Sequence, residues 1–168
     1  NDVGEVLHID VVGPLPVDKQ GNIYCVTMVD RFSGFTLSGC CKTLNADEVV
    51  MTIFNTWFHL FGIPGTLFSD NGTEFTNQII NQIKKQFGIK TITAPAYHQQ
   101  SNGMPERHHK YQKTRGRLLG WDFEDLGRGT HSWAILMNWI NKVWNQTIHE
   151  RSKHTPYQIM FGRRANKK

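Results

Sequence analysis

Near its start the chain carries an apolar, β-branched run from Val6 to Val12, which ends at Gly13-Pro14. A run of this kind predicts a strand that stops at a turn. Two more strand-like runs, residues 22–30 and 35–41, are joined by the short segment 31–34, so they predict a hairpin. Any fold for this chain must therefore begin with three consecutive strands.

After the third strand the pattern alternates between helices and strands. Asn45 can cap a helix in which apolar residues recur every three or four positions, and Gly62 ends that helix. The remaining predicted elements are a strand at 66–69, a helix at 73–87, a strand at 88–93, and helices at 105–119 and 132–146. This order predicts an α/β fold in which a five-stranded mixed sheet is flanked by helices on both faces.

Composition indicates one globular domain. The 168 residues are 39% hydrophobic and 20% charged, which is enough apolar material for a core and too little charge for disorder. The net charge of +5 favours a polyanionic partner, although many basic proteins bind no nucleic acid. No apolar stretch is long enough to span a membrane, and no signal peptide is visible. The abrupt start before the first strand suggests a fragment of a longer protein.

The three cysteines, Cys25, Cys40 and Cys41, have no metal-binding spacing and are odd in number. This usage predicts buried free thiols in a reducing compartment rather than a disulfide framework.

Three carboxylates carry the functional argument. Asp10 lies within the first apolar run, Asp70 ends the strand at 66–69, and Glu106 stands near the start of the helix at 105–119. Carboxylates at strand ends and on a nearby helix can hold hard divalent cations. A pair of such cations can stabilise the attacking and leaving oxygens of a phosphodiester, which predicts phosphoryl transfer on a nucleic acid.

Each carboxylate also has a structural interpretation. Asp10 can be a hydrogen-bonded structural residue, Asp70 can form an Asx turn, and Glu106 can stabilise a helix N-terminus. Among the competing residues, we interpret Asp30 as a turn residue and His8 as structural. The acids of the loop after residue 120 are read as solvated, and the histidines have no cysteine partner at zinc-finger spacing.

Several motifs in order resemble the catalytic core of retroviral and gypsy-type retrotransposon integrases. They are Asp10, Ser69-Asp70-Asn71-Gly72-Thr73-Glu74-Phe75, Ser101-Asn102-Gly103, Glu106-Arg107, Thr155-Pro156-Tyr157 and Phe161-Gly162-Arg163. The resemblance runs from about Val6 to Arg164. It implies a ribonuclease-H-like fold and a single integrase catalytic core domain over residues 1–168. The N-terminal zinc domain and the C-terminal DNA-binding domain of the family are absent from this sequence.

The resemblance also implies a function. The expected protein is a metal-dependent polynucleotidyl transferase with endonuclease activity, which processes DNA ends and transfers strands during integration of element DNA. Asp10, Asp70 and Glu106 are the expected catalytic residues and the ligands of two Mg²⁺ or Mn²⁺ ions. Asp10 and Asp70 would share one ion, and Asp10 and Glu106 the other. The nucleophile would be water in end processing and a DNA 3′-hydroxyl in strand transfer.

The expected DNA contacts lie around Glu106. Lys110, Lys113 and Arg117 share a helix face with it, although the same pattern also describes a solvated face with a Glu106–Lys110 pair. Neighbouring loops add four expected contacts, Asn71, Tyr97, Gln100 and Asn102. The loop at 97–103 can equally be an ordinary surface connection.

The sequence departs from the family in this region. His98-Gln99-Gln100 replaces the common His-Pro-Gln, Pro105 replaces a β-branched or small residue, and His108-His109 replaces a region with asparagine. These changes leave the three carboxylates intact, so they put the geometry of the loop and the handling of substrate in doubt more than metal binding. Two alternatives therefore stay open, a catalytically silent DNA- or protein-binding module and a domesticated nuclease that cuts without joining.

The expected partners are element ends, target DNA and a second copy of the chain. The helices at 46–61 and 132–146 carry more aromatic side chains than a core of this size readily encloses, and the family pairs its cores through these regions. The residues concerned are Trp57, Phe58, Phe61, Trp133, Trp139 and Trp144. The alternative is that they all pack inside one chain.

The expected location is the nucleus, or a virus-like particle for an active element.

Overall fold

A computed structural model describes residues 2–70, 74–94 and 133–166. Within them, five strands form one sheet in the order β3-β2-β1-β4-β5. Antiparallel pairing joins β1 (Val6–Val12) to β2 (Tyr24–Asp30) and β2 to β3 (Thr36–Cys41). Parallel pairing joins β1 to β4 (Thr66–Asp70) and β4 to β5 (Lys90–Ala94). The predicted five-stranded mixed sheet is confirmed.

The turn that joins β2 to β3 is closed by a buried carboxylate. Asp30 accepts hydrogen bonds from the amide of Ser33 at 2.8 Å, from the Ser33 hydroxyl, and from the amide of Gly4 at 2.9 Å. A fully buried Asp is tolerated because its oxygens have these donors. The interpretation of Asp30 as a turn residue is confirmed.

Two long helical segments cover one face of the sheet. The first runs through α1 (Ala46–Ile53), a π-helical stretch (Phe54–Phe58) and α2 (His59–Phe61), with Asn45 as its N-cap. The second is α3 (Glu74–Phe87). The main hydrophobic core lies beneath them, and it includes Leu7, Ile9, Val26, Met28, Val50, Ile53, Trp57, Leu67 and Ile83.

The π-helical stretch corrects the prediction of one regular helix from Asn45 to Gly62. A π turn holds an extra residue, so the apolar positions that follow it are rotated about the helix axis. Within the stretch Trp57 and Phe58 are buried, whereas Phe54, one of the apolar residues whose spacing predicts the helix, is 37% exposed.

The opposite face of the sheet is covered by α4 (Trp133–Gln146), and α5 (Pro156–Phe161) follows near the β2–β3 turn. The indole Nε1 of Trp133 donates to the Pro16 carbonyl at 2.7 Å, and that of Trp144 to the Gly34 carbonyl at 3.0 Å. A hydrogen bond near each end of α4 thus fixes the helix to the loops that follow β1 and β2. Together with α1 and α3, it confirms that helices flank both faces.

The sequence places five apolar residues on one side of the helix at 132–146, namely Trp133, Leu136, Ile140, Val143 and Trp144. The buried face of α4 differs from this predicted side. Val143 is 45% exposed, whereas Met137 and Asn141 are buried against the sheet. Four of the six aromatics expected to form a surplus are also buried within the single chain, namely Trp57, Phe58, Trp133 and Trp144. The aromatic-surplus argument for a dimer is therefore wrong for these four, because each is buried within one chain. Trp139, at 56% exposure, stays on the surface. No helix in the described ranges is long and apolar enough to cross a membrane.

Candidate active site

Asp10 is the predicted metal ligand that the structure describes most fully. It is half-buried in β1, and its Oδ1 accepts a hydrogen bond from the Val11 amide at 2.8 Å. Since β1 has β2 on one side and β4 on the other, the strand that carries this carboxylate is hydrogen-bonded along both edges. Asp10 is thus held on the central strand of the sheet.

Asp70 is the last residue of β4, the parallel neighbour of β1. The register pairs Ile9 with Ser69, so Asp10 and Asp70 are the next residues along two adjacent strands. Neighbouring strands lie about 4.8 Å apart, and ligand sites in open α/β sheets gather where parallel strands end. The backbone therefore brings two of the three predicted carboxylate positions together. The side chain of Asp70 is outside the described part of the structure.

The third carboxylate, Glu106, lies outside the described residues. So do the predicted DNA contacts Asn71, Tyr97, Gln100, Asn102, Lys110, Lys113 and Arg117. Their assignments stay predictions. In the part of the chain that is described, no three His, Cys, Asp or Glu side chains come together as a metal site.

The donor chemistry of the two strand positions fits a hard divalent cation. Two aspartates in adjacent positions offer carboxylate oxygens, which Mg²⁺ and Mn²⁺ prefer over nitrogen or sulfur. The nearest histidine along β1, His8, is buried and packs its ring against Phe68 with centroids 5.3 Å apart, in agreement with a structural role.

A polar network joins α4 to the strand beside Asp10. Asn141 donates from Nδ2 to the Ser38 hydroxyl at 2.7 Å, and that hydroxyl lies 3.5 Å from the Thr27 hydroxyl. Thr27 is the β2 residue that pairs with Asp10. Because buried polar groups are costly unless they are hydrogen-bonded, the network fixes how α4 lies over this part of the sheet.

A second buried amide continues this arrangement one helical turn later. Asn145 accepts from the Thr36 amide at 2.9 Å and donates to the Thr36 carbonyl at 2.8 Å. Sequence reasoning missed both asparagines, because amides on a helix usually mark a solvated face. Their spacing of four, beside the apolar Met137 and Ile140, was the signal that could have found them.

The cysteines near this network are free thiols, as predicted. Cys25 and Cys41 are buried and Cys40 is half-buried. Cys25 and Cys40 are directly paired across β2 and β3. The hydrogen bond with the Cys25 thiol, followed by burial, raises the pKa of Cys40 above its ordinary value, because both favour the protonated form.

Comparison with known proteins identifies the family. The sequence profile of the integrase core domain matches residues 1–99. The chain belongs to the integrase core domain family, and the resemblance drawn from its motifs is confirmed.

Related sequences include segments of mobile-element and viral polyproteins and an integrase-like protein. The chain is 30% identical over 158 residues to the retrovirus-related Pol polyprotein from transposon 412 of Drosophila melanogaster, covering 94% of the chain and 12% of the polyprotein. It is 32% identical over 158 residues to the Pro-Pol polyprotein of feline foamy virus, covering 92% of the chain and 13% of that protein. The gypsy retrotransposon integrase-like protein 1 of Pongo abelii is 26% identical over 155 residues, which cover 92% of the chain and 28% of that protein. The chain thus spans only about an eighth of the length of the polyproteins.

Solved structures show the same fold. The HTLV-2 integrase catalytic core domain in complex with magnesium, in a trimeric form, has a TM-score of 0.67 at 22% identity, covering 95% of this chain and 97% of that one. The catalytic core domain of BIV integrase has a TM-score of 0.64 at 23% identity, covering 95% of each chain. The fold is therefore that of retroviral integrase catalytic cores, and the ribonuclease-H-like prediction is confirmed.

Proposed function

We propose that this chain is the catalytic core of a metal-dependent polynucleotidyl transferase that processes DNA ends and joins them to target DNA. The observation that carries the proposal is the register of β1 and β4, which sets Asp10 of β1 beside Asp70, the last residue of β4, in an integrase core. The HTLV-2 integrase core in complex with magnesium and the Pol polyprotein of transposon 412 support the same chemistry.

In this proposal, three carboxylates bind the metal ions. Asp10, Asp70 and Glu106 would hold Mg²⁺ or Mn²⁺, and such ions lower the pKa of a bound water or hydroxyl and stabilise charge on a leaving oxygen. The Val11 amide orients the Asp10 carboxylate, and the paired strands on either side of β1 keep it in place. The sheet thus positions the Asp10 carboxylate, and the backbone of Asp70 beside it, before any DNA arrives.

Replacement of Asp70 tests the proposal directly. Asp70→Asn keeps the side-chain shape but removes the charge that holds a cation, so nicked and joined products should fall to background. The assay uses a labelled DNA oligonucleotide with Mg²⁺ or Mn²⁺ and scores both products. Asp47→Asn, an isosteric change at an exposed position of α1, is the matched control and should retain parental activity.

The same assay separates the alternatives. Product from Asp70→Asn equal to that of the parent would overturn the assignment of Asp70. Nicking without joining would identify a nuclease, and DNA binding without any product would identify a silent module. These alternatives are worth testing because the sequence departs from the common family motif at residues 98–100, at Pro105 and at residues 108–109.

We also propose that the functional unit is a homodimer or a higher oligomer. On α4, Ile135, Trp139 and Val143 are spaced four residues apart and are 47%, 56% and 45% exposed. An exposed apolar stripe of this kind marks a contact surface. The structurally similar proteins include a trimeric core and a viral intasome, which are assemblies of related proteins.

We propose a nuclear location, because DNA is the proposed substrate. A fluorescent fusion would test it.

A further inference from the structure

The positive charge of the chain is concentrated at one end of the sequence. Residues 133–168 contain seven Lys and Arg against one acid, Glu150, whereas residues 1–132 contain 12 Lys and Arg against 13 acids. Residues 133–168 thus carry a net charge of +6 and residues 1–132 a net charge of −1, so the excess positive charge belongs to the segment that comprises α4, the following loop, α5 and the residues after α5. Such asymmetry is typical of a surface that meets a polyanion.

A cleft of about 500 Å³ lies within this basic segment, between the end of α4 and α5. Its polar lining consists of Lys142, Gln146, Thr155, Gln158, Arg164 and Asn166. The described lining contains no carboxylate. Two cations with amide and hydroxyl groups around them are the set of donors that proteins use to bind phosphate oxygens.

Aromatic rings contact one cation of the cleft and one cation next to it. The Nζ of Lys142, which lines the cleft, lies 4.6 Å from the centroid of the Trp139 ring, and the guanidinium of Arg163, the neighbour of the lining residue Arg164, lies 5.7 Å from that of Tyr157. In the connecting loop, the Lys153 amide donates to the His149 carbonyl at 2.8 Å and the His149 amide to the His154 carbonyl at 3.1 Å. This loop presents exposed cations at Arg151 and Lys153 on a hydrogen-bonded frame.

The cleft is separate from the carboxylate site. Asn141 points at the sheet, where it bonds Ser38 near the strand partner of Asp10. Lys142 is the next residue of α4 and is exposed, because successive helix residues are turned by about 100° from one another. The cleft lining therefore includes neither Asp10 nor the asparagine that faces the sheet beside it.

We propose that this basic cleft binds the phosphate backbone of double-stranded DNA at a second site, distinct from the carboxylates. The proposal rests on the proposed function only in taking DNA as the polyanion. An acidic peptide would need an apolar anchor pocket, and the lining offers only Ile148 and Ala165 as apolar residues. Phosphates, by contrast, match the two cations and the surrounding amides.

Charge reversal in the cleft tests this. Binding of a fluorescent DNA duplex is measured by anisotropy in EDTA, at several salt concentrations, for Lys142→Glu/Arg164→Glu and the parent. Affinity should fall at least about tenfold, and the slope of log K against log salt should become shallower by about 1 to 2, as expected for lost phosphate contacts. Lys142→Gln/Arg164→Gln should fall between the two.

A matched control removes the effect of net charge. Lys84→Glu/Lys85→Glu makes the same charge change at exposed positions in the last turn of α3, on the opposite face of the sheet. It should weaken binding by no more than about twofold, because exposed charges far from a contact are screened. Equal losses in the two charge-reversal variants would overturn the proposal. Binding of polyglutamate as tight as that of DNA would also overturn it.

The binding assay is independent of catalysis. If the parent makes no nicked or joined product while the cleft variant still loses affinity, the proposed function fails and the cleft proposal stands. If the parent is active and the cleft variant binds like the parent, only the cleft proposal fails.

Discussion

At the scale of single residues, the polar side chains at the sheet are stabilised by hydrogen bonds. Asp30 is fully buried yet accepts from Ser33 and Gly4, and Asn141 is buried yet bonds Ser38. Asp10 is only half-buried and receives the Val11 amide. The carboxylate that is proposed to bind metal is thus the one with access to solvent, whereas the structural carboxylate is enclosed.

Cys41 gives a pH-dependent prediction. Burial, followed by the charges of Glu48 and Cys25, raises the pKa of its thiol to about 12. Alkylation needs the thiolate, so at pH 8 the folded protein should leave Cys41 unmodified by iodoacetamide, while the unfolded chain, with a thiol pKa near 8.5, should react. Peptide mass spectrometry with and without denaturant measures this. Equal labelling in both states would contradict the burial of Cys41.

The same pKa shift affects stability in a defined direction. Folding keeps the Cys41 thiol protonated, so its contribution is fully present below about pH 8.5 and is lost as pH rises toward 12. The difference in unfolding free energy between the parent and Cys41→Ala should therefore shrink through this alkaline range. A difference that stays constant up to pH 11 would contradict the shift.

Residue-level prediction worked where the type of residue conflicted with its surroundings. A carboxylate within an apolar strand signalled Asp10, and its place on β1 is confirmed. The amides Asn141 and Asn145 were missed because their partners, Ser38 and Thr36, lie on a strand about a hundred residues earlier in the chain. Pairing over that separation leaves no mark in the local pattern.

At the scale of elements, close packing between β3 and the first helical segment depends on Gly39. A Cβ atom at this position would lie 2.5 Å from both Thr52 Cγ2 and Thr56 Oγ1. Gly39 therefore lets the helix approach the sheet at a distance that no other residue allows. The strands themselves were predictable from apolar runs, whereas this approach and the π-helical stretch depend on three-dimensional packing.

Gly39→Ala should accordingly destabilise the fold. Overpacking against Thr52 and Thr56 should cost about 1–3 kcal/mol of unfolding free energy, measured by urea denaturation. The double variant Gly39→Ala/Thr52→Ser removes the methyl that the new Cβ meets and should recover part of the loss. A single variant as stable as the parent would show that the helix can shift at no cost. Gly65→Ala, where a Cβ would find its nearest atom at 3.4 Å, is the control.

At the scale of the whole molecule, the exposed stripe on α4 makes self-association testable. Trp139→Glu should raise the dimer dissociation constant at least about tenfold, because a large aromatic side chain at the centre of a contact carries much of its energy. Sedimentation velocity at micromolar concentration measures the change. Phe32→Glu, which introduces the same charge at an exposed aromatic of the β2–β3 turn, is the control.

A parent that stays monomeric at these concentrations would contradict the homodimer proposal. Its failure would leave the carboxylate site untouched, because Asp10 and Asp70 belong to the sheet of a single chain.

The central place of β1 determines how this protein would lose activity. Strands at the edges of a sheet open through local fluctuations, but β1 can separate only when pairing fails on both of its sides. Amide hydrogens around Asp10 should therefore exchange with deuterium only through global unfolding. A destabilising substitution elsewhere would then lower the fraction of working molecules without producing half-active ones, so heat inactivation and unfolding should follow a single curve.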